Sequence, residues 1–281
     1  MMGMPDAIRV RELSKKLGNF TLGPIDLTLP EGCVMGLIGE NGAGKSTLIS
    51  LLTGLKHPDS GECVLLGESD WEKVREDVGI VLDIPGFPSS LTAGEIGTLV
   101  APGFAGWDAE LYARYCREFA LPEKTRFGKY SRGMKMKLSV AVALAHHPRL
   151  LILDEPTGGL DPVMRDEILD IFYEFIQDGS HSILISSHIL SDLEKICDYI
   201  SFIHEGKILL SDEKDKMKEE YGIFSGSKSR LESLGSAVKA VRETASVCEA
   251  LVLREYCPEA RPATLEELMV FLLRFGKGES L

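Results

Sequence analysis

Residues 33–52 read CVMGLIGENGAGKSTLISLL: an apolar run, a glycine-rich loop and a second apolar stretch in immediate succession. The run 33–38 is short and bounded by turn residues, so it reads as a strand. Leu48, Leu51 and Leu52 recur at helical spacing, so a helix should begin inside the loop. Between them, Gly39, Glu40, Asn41, Gly42, Ala43, Gly44, Lys45, Ser46 and Thr47 match G-x-x-x-x-G-K-[ST]. A strand before and a helix after is the context this motif needs. Its glycines let the backbone wrap so that N–H groups point at phosphate oxygens. Lys45 is expected to reach the β- and γ-phosphates, and the Ser46 hydroxyl to ligate Mg²⁺. A dinucleotide fingerprint would need G-x-G-x-x-G. Gly42 and Gly44 supply its first half, but Thr47 stands at the third glycine, so that alternative fails.

Working outward, three more short apolar runs lie at VGIVL (78–82), LLIL (150–153) and SILIS (182–186), separated by helix-length stretches. Such alternation predicts an α/β fold with a parallel sheet. In VMRDEILDIFYEFIQ (163–177), Ile168, Ile171, Phe172 and Phe175 share one helical face. Asp161 can cap that helix, Pro162 suits its first position and Gly179 follows its end. Residues 84–92 read as a loop, and most of the stretch from there to residue 147 as helix, so 84–147 is expected to be an all-helical insert.

The third run ends in Asp154 and Glu155, which places two acids at the carboxyl edge of the sheet, where ligands sit in open α/β folds. Asp154 is expected to hold the Mg²⁺ shell, and Glu155 to orient or deprotonate a water. The fourth run leads into Ser186, Ser187 and His188. An imidazole there can hydrogen-bond a γ-phosphate oxygen or the attacking water. A second anion-ready feature is KYSRGMKMKL (129–138), in which a serine and a glycine precede a basic helical run.

The acidic balance, 43 Asp and Glu against 31 Lys and Arg, argues against nucleic acid as a partner. No stretch of 18 apolar residues occurs, and MMGMPDAIRV has no export pattern, so a cytoplasmic protein is expected. Six cysteines without a CxxC pair read as buried thiols. The stretch DEKDKMKEEYG (212–222) reads as a solvated helix or a linker. Beyond it come two strand-like runs, AVKAV (237–241) and EALVL (249–253), and a helix. A Thr264–Glu267 capping box opens that helix, and Leu268, Phe271, Leu272 and Phe275 share its face. The expected organisation is therefore a nucleotide-binding domain over 1–212 and a small folded α/β subdomain, regulatory or dimer-stabilising, over 213–281.

With these motifs in this order, residues 8–212 resemble the ATPase subunit of an ABC transporter. EPTGGLDP (155–162) is similar to that family's acid strand end and D-loop, and the segment 186–208 to its switch-histidine region. YSRGMKMKL (130–138) stands where the family carries its LSGGQ signature. The resemblance implies a P-loop NTPase core and a head-to-tail dimer around two ATP–Mg²⁺. In that dimer Ser131 and Gly133 would cap the ATP held by a second ATPase subunit. The chain would lie on the inner face of the membrane against separate permease subunits.

Three departures stand out. Arg132 replaces the first signature glycine, and Met134-Lys135 the usual glutamine. Asp83 replaces the Q-loop glutamine, and could reach Mg²⁺ through water. Leu17 stands where an adenine-stacking aromatic belongs; Phe20 is the nearest aromatic, for adenine or for ordinary core packing. Together with RPATLEELMVFLL (261–273), these features resemble one bacterial subgroup of stand-alone exporter ATPases linked to envelope stress or antibiotic response.

The competing class is a soluble ABC ATPase without a permease. Repair and condensin relatives insert a long coiled coil before the signature, but only 85 residues lie between Lys45 and Ser131. Translation-factor relatives carry two cassettes with a basic linker; this chain has one cassette and is acidic. A scaffold with a dead site is disfavoured, because Lys45, Asp154, Glu155 and His188 are all present.

Overall fold

A computed structural model describes residues 5–243 and 248–275. The chain opens with β1 (Asp6–Leu17) and β2 (Phe20–Pro30), a hairpin turning at Gly18-Asn19, where Gly18 takes φ +60°. β3 (Val34–Ile38) leads through the glycine loop into α1 (Lys45–Leu52). β4 (Ser60–Leu65) pairs with β1, completing a three-stranded antiparallel sheet. α2 (Trp71–Val74) and β5 (Val78–Val81) come next. The helices α3 (Ala93–Val100), α4 (Ala109–Glu118) and α5 (Arg132–Leu144) lie between β5 and β6 (Leu150–Asp154). α6 (Pro162–Ile176), β7 (Ser182–Ser187), α7 (Leu190–Ile196), β8 (Tyr199–His204) and β9 (Lys207–Glu213) complete the main body.

The second sheet runs in the order β5-β6-β7-β3-β8-β9, parallel except for β9. Its inner strands are buried on both faces, which is why they read as unbroken apolar runs. Alternate residues serve two cores. Met35, Leu37, Ile152 and Leu184 pack with α1 and the antiparallel sheet. Val34, Ile38, Leu153 and Ile185 pack with α6 and the three insert helices. The antiparallel sheet was not foreseen. Its signal was the alternation of Leu22, Ile25, Leu27 and Leu29 in β2, all buried, with polar residues between most of them.

α6 starts as the sequence indicates: the Asp161 carboxylate accepts from Val163 N and Met164 N, and Pro162 is its first residue. Ile168 and Phe172 are fully buried. Thr92 and Asp108 cap α3 and α4 in the same manner.

The last part of the chain holds α8 (Lys214–Glu220), β10 (Tyr221–Gly226), α9 (Lys228–Leu234), β11 (Val238–Glu243), β12 (Cys248–Leu253), β13 (Arg261–Pro262) and α10 (Leu265–Phe275). Its strands form an antiparallel sheet in the order β11-β12-β10-β13. α8 falls on the charge-dense stretch, and Met217 is its one buried side chain. Met217, Tyr221, Leu251, Leu268 and Phe271 belong to the same apolar cluster as Ile185 and Phe202 of the parallel sheet. The tail is thus packed onto the main body. Among the described residues all six cysteines are free thiols; only Cys197 and Cys257 are fully buried and the other four are half-buried, a correction to the expectation of six buried thiols. No helix among the described residues is long and apolar enough to cross a membrane.

Candidate nucleotide site

Strand register assembles the site. Ile38 lies opposite Ser187, and Asp154 opposite Ser186, so β3, β6 and β7 end side by side. The glycine loop, the two acids and His188 therefore leave the sheet at one edge, where residues distant in sequence become neighbours.

Within the loop, Gly42 and Gly44 take φ +84° and +117°, conformations that favour glycine. A Cβ at Gly39 would lie 2.4 Å from the Ile203 carbonyl oxygen, so that position needs glycine for space. Gly44 precedes α1 and gives it no side-chain cap, which leaves the first N–H groups of the helix available to an anion. Asn41 and Ser46 are exposed, Thr47 half-buried and Ala43 buried. Lys45 is 5% exposed, and its ammonium donates to Gly39 O at 2.6 Å and Glu40 O at 3.3 Å. The same Nζ lies 3.2 Å from Glu155 Oε1.

Glu155 has φ +49°, a strained backbone for a residue with a side chain. Ser186 holds it there: Glu155 N donates to Ser186 Oγ at 3.0 Å and to Ser186 O at 3.2 Å. The Ser186 hydroxyl in turn donates to Asp154 Oδ1 at 2.6 Å, so one side chain orients both acids. Its role was not read from the sequence; the only signal was its place at a strand end beside His188. Glu155 Oε2 lies 2.7 Å from His188 Nδ1. A carboxylate can only accept, so Nδ1 carries the proton. His188 is half exposed, and its Nε2 is left for another partner.

Asp154 is buried and Ser46 is exposed at the start of α1. Both are hard oxygen donors of the kind Mg²⁺ takes. Among the described residues no three His, Cys, Asp or Glu side chains cluster as a metal site. Asp83 is bonded elsewhere: Arg132 Nη2 donates to its Oδ1.

Ser131 caps α5, its Oγ accepting from Met134 N at 3.2 Å. Gly133 is buried against α6, where a Cβ would come within 2.9 Å of Met164 Cγ. Among the described residues, no hydrogen bond or ion pair joins either of them to loop 39–47. Phe20 is half-buried at the start of β2, with its Cζ 3.2 Å from where a Gly44 Cβ would stand. It borders a cleft of about 600 Å³ together with Asn41, Gly42, Ala43, His204 and Lys207. A pairing between Arg165 of α6 and Asp192 of α7 was also unforeseen. Asp192 is 2% exposed and its Oδ2 lies 3.6 Å from Arg165 Nε, too long for a good hydrogen bond. It ties the helix after the Asp161 turn to the helix after His188.

Comparison with known proteins adds an independent line. A family model described as "ABC transporter" matches residues 22–158. The bacitracin transport ATP-binding protein BcrA of Bacillus licheniformis is 35% identical over 222 residues, spanning 77% of this chain and 72% of that protein. The lantibiotic transport ATP-binding protein SrtF of Streptococcus pyogenes is 36% identical over 221 residues, spanning 78% and 96%. A solved structure of an ATP binding subunit of an ABC transporter superposes with a TM-score of 0.68 at 30% identity, covering 75% of this chain and 92% of that one.

Proposed function

The chain belongs to the ATP-binding proteins of ABC transporters, and on that premise we propose that it is the ATP-hydrolysing motor of an exporter whose permease is a separate chain. The observation that carries this reading is the line Lys45–Glu155–His188 at the sheet edge, ammonium to carboxylate to imidazole at 3.2 and 2.7 Å. These side chains lie within one another's reach, and in this reading they serve as phosphate ligand, base and base-orienting group.

In this reading the loop N–H groups and Lys45 bind the triphosphate, and Ser46 and Asp154 hold Mg²⁺. The metal supplies charge neutralisation on the phosphate oxygens. In the structure Glu155 Oε1 is engaged by the Lys45 ammonium. Transfer of Lys45 to the nucleotide frees Glu155 to take a proton from water, while His188 Nδ1–H keeps the carboxylate oriented. Phe20 offers its ring to adenine from the cleft beside the loop. Asp83 would be available to the Mg²⁺ ion through water if Arg132 released it. A raised Mg²⁺ requirement in Asp83→Ala supports that assignment, and an unchanged one removes it.

Two chains would pack head to tail, with Ser131, Gly133 and the start of α5 completing the partner's site. Residues 1–212 would form the motor domain and 213–281 a regulatory or dimer-stabilising subdomain. The insert 84–147 would receive the permease, which would hold the chain on the inner face of the membrane. Exposed Ile84 and Leu99, 80% and 56% accessible, suit that contact. Names of the relatives point to peptide antibiotics as the cargo class to test first.

The deciding experiment is co-expression with a membrane protein of about six spans encoded beside this chain. Copurification, with ATPase activity raised by a bacitracin- or lantibiotic-type peptide, supports the reading. ATPase activity in a chain that binds no membrane protein would instead favour a soluble ATPase.

A further inference from the structure

Asp83 and Arg132 are two positions at which this chain departs from the family pattern, and the structure bonds them to each other. Arg132 is the first residue of α5, and Asp83 lies two residues beyond the end of β5. Their ion pair therefore ties the helical insert to the rim of the parallel sheet. The guanidinium has a second neighbour. A Cβ on Gly159 would stand 3.2 Å from Arg132 Nε, and one on Gly158 would stand 3.5 Å from Nη2. Arg132 thus covers the turn after Glu155, which closes with Gly158 N donating to Glu155 O at 3.1 Å. Ser186 is bonded to the start of that turn, and Arg132 lies against its glycines.

The chemistry suits arginine. A cation at the first position of a helix is opposed by the helix dipole, and a carboxylate beside it removes the conflict. A planar guanidinium can pair edge-on with that carboxylate while its face lies on a peptide turn; an ammonium cannot do both. Gly159 has φ +68°, so a side chain there would be strained and would also crowd the guanidinium. Both partners are partly exposed, 50% and 40%, so the pair contributes little to global stability and is easily exchanged. Its effect is on position.

We propose that Asp83 and Arg132 form a clasp that sets the placement of α5 against the Glu155 turn in the nucleotide-free chain, which makes both of them positioning residues. The clasp is a property of the single chain. Its consequence for hydrolysis rests on the function proposed above.

The first test uses the full chain without nucleotide or metal, and reads amide hydrogen exchange at residues 132–136 and 157–160. Asp83→Asn and Arg132→Gln should each raise exchange there by about two- to fivefold, the size of an exposed ion pair. The double variant should add nothing to either single one. The swapped pair, Asp83→Arg with Arg132→Asp, should recover much of the protection. Additive effects, or unchanged exchange in both single variants, would overturn the clasp. The second test adds ATP and Mg²⁺. Arg132→Gln should alter kcat by about two- to fivefold while ADP affinity stays within about twofold, because the clasp does not touch loop 39–47. An ADP affinity that moves with kcat would overturn the positioning role. Because the first test needs no activity, failure of the clasp is distinguishable from failure of the functional reading.

Discussion

Helices α1 and α5 begin alike and differ in how their first turns are completed. Each starts with a cation, Lys45 or Arg132, set against the positive end of its own dipole. Each cation is answered by a carboxylate from another segment, Glu155 for Lys45 and Asp83 for Arg132. The difference lies in the caps. α1 follows Gly44 and has no side-chain cap, whereas α5 is capped by Ser131. α10 completes the series: Thr264 and Glu267 bond each other's backbone N–H groups, and Arg261 grips Glu267. An uncapped terminus with a buried lysine is prepared for a ligand. A fully boxed one is finished. α5 lies between, finished within its chain yet bearing a cation that can change partners.

The largest effect expected from breaking this comparison is at the base. Glu155→Gln should retain ATP binding and lose about 10²–10⁴-fold in kcat, because the amide cannot accept the proton. Turnover near the wild-type rate would remove Glu155 as the base. Lys45→Ala should weaken ATP binding by on the order of 100-fold, read by equilibrium titration, through loss of a charge-assisted contact. The same change at α5, Arg132→Ala, should leave binding nearly unaltered. Equal losses at the two helices would erase the distinction drawn between them.

The proposed sharing of the site between chains sharpens the comparison further. Lys45→Ala disables the site a chain holds, and Ser131→Arg the site it caps, by bulk and like charge. Each alone should be nearly inactive. A mixture should regain part of the activity, since both lesions can fall in one composite site. No recovery, together with a Glu155→Gln protein that stays monomeric in light scattering with saturating ATP, would count against a shared site.

Smaller effects concern the caps alone. Ser131→Ala should lower stability by about 1 kcal/mol in thermal unfolding, the cost of one N-cap. At α10 the expectation is a pH dependence. Arg261, then the Thr264 backbone, pull the Glu267 carboxyl down to about 2. A depressed carboxylate gives stability that is present above its unfolded value, near 4.5, and is lost as pH falls toward 2. Glu267→Gln should therefore cost about 1 kcal/mol at pH 7 and almost nothing near pH 2. An unchanged difference across that range would show that the box acts through shape and not charge.

Much of this was legible along the chain. The glycine loop, the four buried strands, the cap of α6 and the box of α10 are local patterns, and each element formed where its residues indicated. The antiparallel sheet was missed because its strands are half-polar and its pairing partner β4 is remote in sequence. In sequence Ser186 is only a neighbour of His188, whereas its bonds to Asp154 and Glu155 cross between strands.

The sequence alone settled what chemistry is available: a phosphate loop, two acids at a strand end and a histidine at the next, because each depends on a spacing of a few residues that a strand or a helix converts directly into geometry. Tertiary structure decided which charges meet. Lys45 with Glu155, and Asp83 with Arg132, are pairings made by strand order and by how the insert lies on the sheet. Two substitutions that look in sequence like separate departures from a family pattern become one interaction, because Coulomb forces act through space and take no account of a separation of 49 positions along the chain.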